Sequence, residues 1–259
     1  MATEKTIVLV TGGRYLTSDS SSLTFQANGG IGFEIVAQLM AKGSYHVLLG
    51  SRSSEKGDAA VKDLQSQNLP GSVELLILDV TNDDTIERAA AQVEKDHGKL
   101  DILVNNAGIA ATTPPLREQM RNAFDTNATG PAVVTNAFGP LLQKSTASPK
   151  ILNLSCGVGS ITSRLDPSRP GYKLQEVQYR ASKAALHMVT ACQWVEYGPG
   201  IKVFAFDPGF TISNIGPHHI AKHGAKPASE AVKPLIDIIQ GQRDDEAGKF
   251  LHKSGIYPW

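Results

Sequence analysis

The sequence predicts an α/β fold, a doubly wound parallel sheet of about seven strands in a single domain. Three observations predict it. Short, almost continuously apolar runs alternate with longer amphipathic stretches along the chain, as expected of parallel strands covered by helices on both faces. The first apolar run, IVLVTG at 7–12, leads through a glycine-rich segment into the helical pattern FEIVAQLMAKG, a strand–turn–helix opening. No linker or repeat divides the 259 residues, and the one biased segment is a Ser/Thr-rich stretch near the start, so one domain over 1–259 is expected.

The elements follow in order. YHVLLGSR gives a second strand ending at Gly50-Ser51-Arg52, and SSEKGDAAVKDLQSQN a helix with a serine start, closed by Leu69-Pro70-Gly71. SVELLILDV is a third strand, followed by a helix capped by Thr81 or Asn82 with acidic residues in its first turn. LDILVNNAG is a fourth strand, the segment from Leu116 to Ser145 one or two helices, and SPKILNLSCG a fifth strand. After a polar, proline-containing stretch (160–175) comes the longest helical pattern, EVQYRASKAALHMVTACQWVEYG, and then a sixth strand, GIKVFAFDPG. TISNIGPHHIAKHGAK reads as irregular, PASEAVKPLIDIIQGQ as helical, and GKFLHKSGIYPW as a last short strand and tail. The predicted strand order is 3-2-1-4-5-6 with a seventh appended.

Formal net charge is zero, so bulk charge points to neither nucleic acid nor an anionic membrane surface. Two cysteines, Cys156 and Cys192, have no metal-ligand spacing and make no disulfide framework. The N-terminus lacks the apolar core of a signal peptide, and no run reaches the roughly 18–20 apolar residues of a membrane span. A cytoplasmic protein is expected.

The opening glycine segment carries the first chemistry. Deleting Gly13–Gln26 leaves VTGANGGIGFEIVAQL, a strand, a tight turn and a helix N-terminus. Unpaired backbone N–H groups and the positive end of the helix dipole then face an anion, and glycine is required where a β-carbon would block the turn or an approaching phosphate. The candidate cradle is Gly12, Asn28, Gly30, Ile31 and Gly32, a dinucleotide-phosphate site split by a polar insert of about fourteen residues that holds Arg14. An acidic residue at the end of strand two would accept from an adenosine ribose 2′-OH. Ser51 and Arg52 stand there instead, a hydroxyl and a guanidinium suited to a 2′-phosphate, which favours NADP(H) over NAD(H). Asp79-Val80 ends strand three, where a carboxylate can meet the adenine amino group. Asn105-Asn106-Ala107-Gly108 ends strand four, where asparagine ties strand ends together and small residues leave room for a cofactor. Taken singly, each is also ordinary turn chemistry. Tyr179 and Lys183 are four apart on one helix face, where an ammonium beside a phenol lowers its pKa and makes it a general acid or base.

Ordered along the chain, TG…GGIG, Asp79-Val80, NNAG, NATG with Asn127, Ser155-Cys156, YRASK and DPG resemble the short-chain dehydrogenase/reductase family over essentially the whole length. Arg52 and the extended stretch before Tyr179 resemble its NADPH-dependent carbonyl reductases. The resemblance implies a Rossmann-type domain that moves hydride between a nicotinamide cofactor and a small carbonyl or alcohol substrate. It implies Tyr179 as proton donor, Lys183 as ribose ligand and pKa-lowering partner, and Asn127 as holder of a proton-relay water. Pro208 and Gly209 would border the nicotinamide, with Thr211 near its carboxamide or the phosphates, and segment 210–226 would cover the substrate. Helix faces near 128–142 and 180–197 offer homo-oligomer contacts, with a monomer the alternative if the stretch before Tyr179 covers them.

Two departures from the family pattern stand out. Cys156 occupies the place of the catalytic serine, and a thiol is the poorer donor to a carbonyl oxygen. Ser160 is the candidate substitute, with Ser155 expected to point into the sheet. The second departure is the insert, which sits where backbone must hug the pyrophosphate. Together they raise an alternative: a catalytically impaired isoform or nucleotide-binding regulator, as alternative splicing or a mis-drawn gene model would leave. His218, His219 and His223 lack a further ligand and are expected to face solvent or substrate rather than a metal. Trp194 and Tyr197 are expected in the core or an interface.

Overall fold

A computed structural model of the chain describes residues 5–12, 30–112, 115–169, 172–216 and 218–259. The insert Gly13–Gln26, with Arg14, and Asn28 of the candidate cradle lie outside the described residues.

Eight strands form one sheet. In chain order they are β1 Thr6–Val10, β2 Tyr45–Ser51, β3 Ser72–Ile77, β4 Ile102–Asn105, β5 Lys150–Leu154, β6 Lys202–Phe206, β7 Phe250–His252 and β8 Gly255–Ile256. Their order across the sheet is β3-β2-β1-β4-β5-β6-β7-β8, so the predicted arrangement holds and gains one strand. All pairings are parallel until β8, which returns antiparallel on β7 with Leu251 opposite Ile256. Val8 lies between Val47 of β2 and Ile102 of β4, which makes β1 a central strand with its end at the point where the winding reverses.

The helices are α1 Ile31–Ala41, α2 Ser54–Ser66, α3 Asp83–His97, α4 Leu116–Phe124, α5 Gly130–Gln143, the single turn α6 Ile161–Arg164, α7 Val177–Tyr197, α8 Ala228–Ala231 and α9 Lys233–Ile239. The caps are those that the sequence offers: Ser53 Oγ accepts from Lys56 N at 3.3 Å, and Asn82 Oδ1 from Thr85 N at 3.2 Å. A π-helical turn, Asp125–Thr129, joins α4 to α5. The last helical pattern divides into α8 and α9 near Pro234, which has no N–H to give to the preceding turn.

Alternate residues of each strand feed separate cores. Val8 and Val10 point to the face where Val47, Leu49, Ile35, Leu39 and Leu64 pack, whereas Ile7 and Leu9 meet Leu48, Leu103, Ile86, Val93 and Phe138 on the other. Trp194 and Tyr197 pack on this second core. With both faces buried, the strands expose only their ends, and a ligand is left to the carboxyl edge.

Candidate active site

At that edge lies a cleft of about 640 Å³. One wall is the strand–turn–helix opening. Gly12 has φ +71, and a β-carbon on it would lie 2.7 Å from Ala107 Cα, so only glycine fits. A β-carbon on Gly32 would meet Asn106 Nδ2 at 2.6 Å. Helix α1 starts at Ile31 with Gly30 as a cap that offers no side chain, and Gly30, Ile31 and Gly32 line the cleft at the positive end of the helix. Asn106 fastens this wall: its Nδ2 donates to Thr11 O at 2.8 Å, while its own N–H and that of Ala107 donate to Thr11 Oγ1. Among the described residues, the chemistry of Gly12, Gly30 and Gly32, backbone with no side chain, suits a dinucleotide's phosphates.

The second wall is the catalytic candidates. Tyr179, Lys183 and Cys156 line the cleft together with Gly108, Pro208, Gly209 and Thr211. Lys183 is buried and donates from Nζ to Leu154 O at 2.9 Å, with that nitrogen 5.8 Å from the Tyr179 ring centre. Burial pulls its pKa down to about 8. The Tyr179 phenol is held well above its ordinary range, first by burial, with the Asp207 charge adding to it. The Lys183 ammonium, expected to lower the phenol's pKa, is turned onto the Leu154 carbonyl. Burial and Asp207 push the Cys156 thiol up to about 12, so it stays protonated beside Tyr179.

Asn127 sits beneath the cleft in the π-helical turn, a local widening that frees a helix from its regular ladder. Its Oδ1 accepts from Ile109 N at 2.8 Å, and its Nδ2 donates to Ile109 O and to Ser182 Oγ, both at 2.9 Å. Ser160 is placed elsewhere than expected. Its Oγ accepts from Ser163 N at 3.1 Å and donates to Trp259 O at 3.3 Å, so it caps α6 and is not available to replace the Cys156 thiol. Ser155 is buried and pairs its hydroxyl with His187 Nε2 at 2.6 Å.

Four candidates flank the cleft without lining it. Ser51 is buried and bonded to Ser53, and Arg52 is exposed at the end of β2. Asp79 accepts from Thr81 at the end of β3, and Val80 packs against the second core. These positions lie along the same sheet edge, at the ends of β2 and β3.

Several lining residues escaped sequence reasoning. Asp207 accepts from Gly157 N at 2.9 Å and Gly209 N at 2.7 Å, clasping the loop after β5 to the Pro208-Gly209 turn; burial raises its pKa. Its place directly before Pro208-Gly209 was the available signal. Ile109, Thr112, Asn122, Ser213, Asn214 and His219 also line the cleft. His219 turns Nδ1 toward Thr211 O at 3.0 Å and sets its ring edgewise on Phe210, whereas His218 and His223 face each other.

Comparison with known proteins fits this geometry. The family described as short chain dehydrogenase matches residues 25–222, beginning within the split loop. The chain is 33% identical over 272 residues to the short-chain dehydrogenase/reductase tropE of Talaromyces stipitatus, covering 97% of each. It is 37% identical over 258 residues to the short-chain dehydrogenase anuI of Penicillium roqueforti, covering 96% of this chain and 95% of that protein. Among solved structures, the NADPH-bound carbonyl reductase from chicken fatty liver superposes with a TM-score of 0.80 at 28% identity, over 99% of this chain and 100% of that one. The chain belongs to the short-chain dehydrogenase/reductase family of oxidoreductases.

Proposed function

We propose that the protein is an NADPH-dependent reductase of a small ketone or aldehyde, or catalyses the reverse oxidation. The observation that carries this reading is the convergence of Tyr179, Lys183 and Cys156 on one cleft with Gly12 and Gly32. A nicotinamide dinucleotide bound along the sheet edge supplies the hydride. Gly12, Asn28, Gly30, Ile31 and Gly32 hold its phosphates by backbone. Ser51 and Arg52 take the 2′-phosphate, Asp79 and Val80 the adenine, and Asn106, Ala107 and Gly108 line its path. Pro208, Gly209 and Thr211 hold the nicotinamide end.

Tyr179 gives its hydroxyl proton to the carbonyl oxygen. A phenol held well above its ordinary pKa is a fully protonated donor at neutral pH, and it becomes an effective acid once Lys183 turns from Leu154 O toward the ribose and the phenol. Asn127 holds the water through which Lys183 recovers a proton. Cys156, next to Tyr179, orients the carbonyl less well than a hydroxyl would. Segment 210–226, with His219, covers the substrate. Exposed Val177, Met188 and Val195 on α7 support self-association through that face. A second reading, an impaired member of the family, is favoured by the half-buried, protonated Cys156 thiol at the place of a hydroxyl.

The test is NADPH oxidation by the full chain with a reactive dicarbonyl or quinone. Turnover is expected, and Tyr179→Phe should lower it by roughly 10²–10⁴-fold. Equal turnover in that variant contradicts the role of Tyr179, and no turnover in either, with NADPH bound, establishes the impaired reading.

A further inference from the structure

The opposite edge of the sheet holds a cluster that the oxidoreductase chemistry does not use. His46 stands near the start of β2, Glu74 in β3 and His97 at the end of α3. Their ligating atoms all lie within 4.8 Å of one another. Glu74 Oε1 is 2.9 Å from His97 Nε2 and 3.4 Å from His46 Nε2. The two imidazole rings are 5.2 Å apart.

We propose that these three residues bind a divalent transition cation of the zinc type. Two imidazole nitrogens and one carboxylate oxygen form a ligand set that zinc favours, at bonds of about 2.0–2.2 Å. Such bonds in a tetrahedron set neighbouring donors about 3.4 Å apart, close to the His46–Glu74 separation. His46 Nε2 is the second observation: it is buried and has no hydrogen-bond partner. On its other side His46 Nδ1 is 2.8 Å from Ser72 Oγ, which also accepts from Lys5 Nζ at 3.2 Å. When Nδ1–H donates to Ser72 Oγ, the Nε2 lone pair faces the cluster, and the second-shell hydroxyl fixes the ring. His97 joins by carrying its proton on Nδ1 instead of Nε2, a tautomer change that releases no proton to solvent. The Glu74 side chain is 45% exposed, so water completes the coordination.

The cation would clamp the first residues of strands β2 and β3 to the end of α3, away from the cleft, as a structural site. The histidines that local spacing singles out, His219 and His223, do not form it.

The experiment is calorimetric titration of the metal-free full chain with Zn²⁺ at neutral pH, alongside the visible spectrum with Co²⁺. Uptake of one Zn²⁺ per chain at micromolar concentration is expected, with Co²⁺ giving d–d bands of a nitrogen–oxygen site. At a hundredfold excess over Kd, bound Zn²⁺ should raise Tm by roughly 5 °C or more. His46→Gln and His97→Gln should each abolish the uptake, whereas His223→Gln should leave it intact. The proposal is overturned by no stoichiometric uptake, by uptake that survives both substitutions, or by uptake lost in His223→Gln. If the variants fail to fold, the wild-type Co²⁺ spectrum decides: thiolate charge-transfer bands would place the metal on a cysteine and overturn it.

Discussion

The two ends of the sheet each bury an aspartate, and they treat it oppositely. At the amino edge, Asp101 is fully buried and takes Ile7 N at 2.8 Å, the Ser145 hydroxyl, and Lys99 Nζ at 3.4 Å. Its charge is matched by donors and a cation, and it ties three segments together. At the carboxyl edge, Asp207 has two backbone N–H donors, and burial raises its pKa. Around it stand Lys183, pulled down to about 8, Cys156, pushed up to about 12, and His187, pulled down to about 4. Asp101 is thus satisfied by its partners, whereas the groups around Asp207 are desolvated and incompletely paired, at a cost in stability, beside glycines that leave room for a ligand.

The comparison breaks first on pH. If the carboxyl edge works through Lys183, then kcat/KM for reduction is high while the ammonium is protonated and falls about tenfold per pH unit above its pKa of about 8. A profile flat from about pH 6 to 10 removes Lys183 from the chemistry. The next effect is on stability. His187 is held neutral down to about pH 4 by burial and the Lys183 charge, while the unfolded imidazole titrates near 6.5. The unfolded chain therefore binds the extra proton between these values, and stability is lost as pH falls through that window, by about 2 kcal/mol from pH 7 to pH 5. Denaturant unfolding at the two pH values should show this loss in the wild type and a smaller one in His187→Gln. An equal loss in both would assign the acid sensitivity to other groups. The smallest effect is Cys156→Ser. A hydroxyl beside Tyr179 should raise kcat several-fold, worth about 1 kcal/mol. An unchanged kcat would mean that the thiol position does not limit the reaction.

Much of the fold was legible because both sheet faces are buried, so β1, β2 and β6 read as unbroken apolar runs. The antiparallel β8 was not: two residues carry no period. The π-helical turn at Asn127 was hidden because its sequence is also compatible with α-helix, and the choice is made by packing. At the site, Gly12, Gly32, Tyr179 and Lys183 were marked by spacing alone, since one backbone geometry and one helix face place them. Side-chain direction was not marked. Ser160 is close in sequence to Cys156 yet caps α6, and Lys183 shares a face with Tyr179 yet bonds Leu154 O. His46, Glu74 and His97 are brought together only by the pairing of β2 with β3 and the length of α3, which no local spacing records.

If the carboxyl edge is a working dinucleotide site despite the insert Gly13–Gln26, the full chain binds NADPH. Titrating the full chain with NADPH and following nicotinamide fluorescence tests it most directly. Saturable binding is expected, tighter than for NADH by tenfold or more, and retained when Gly13–Gln26 are removed. The absence of saturable binding at millimolar NADPH would contradict it.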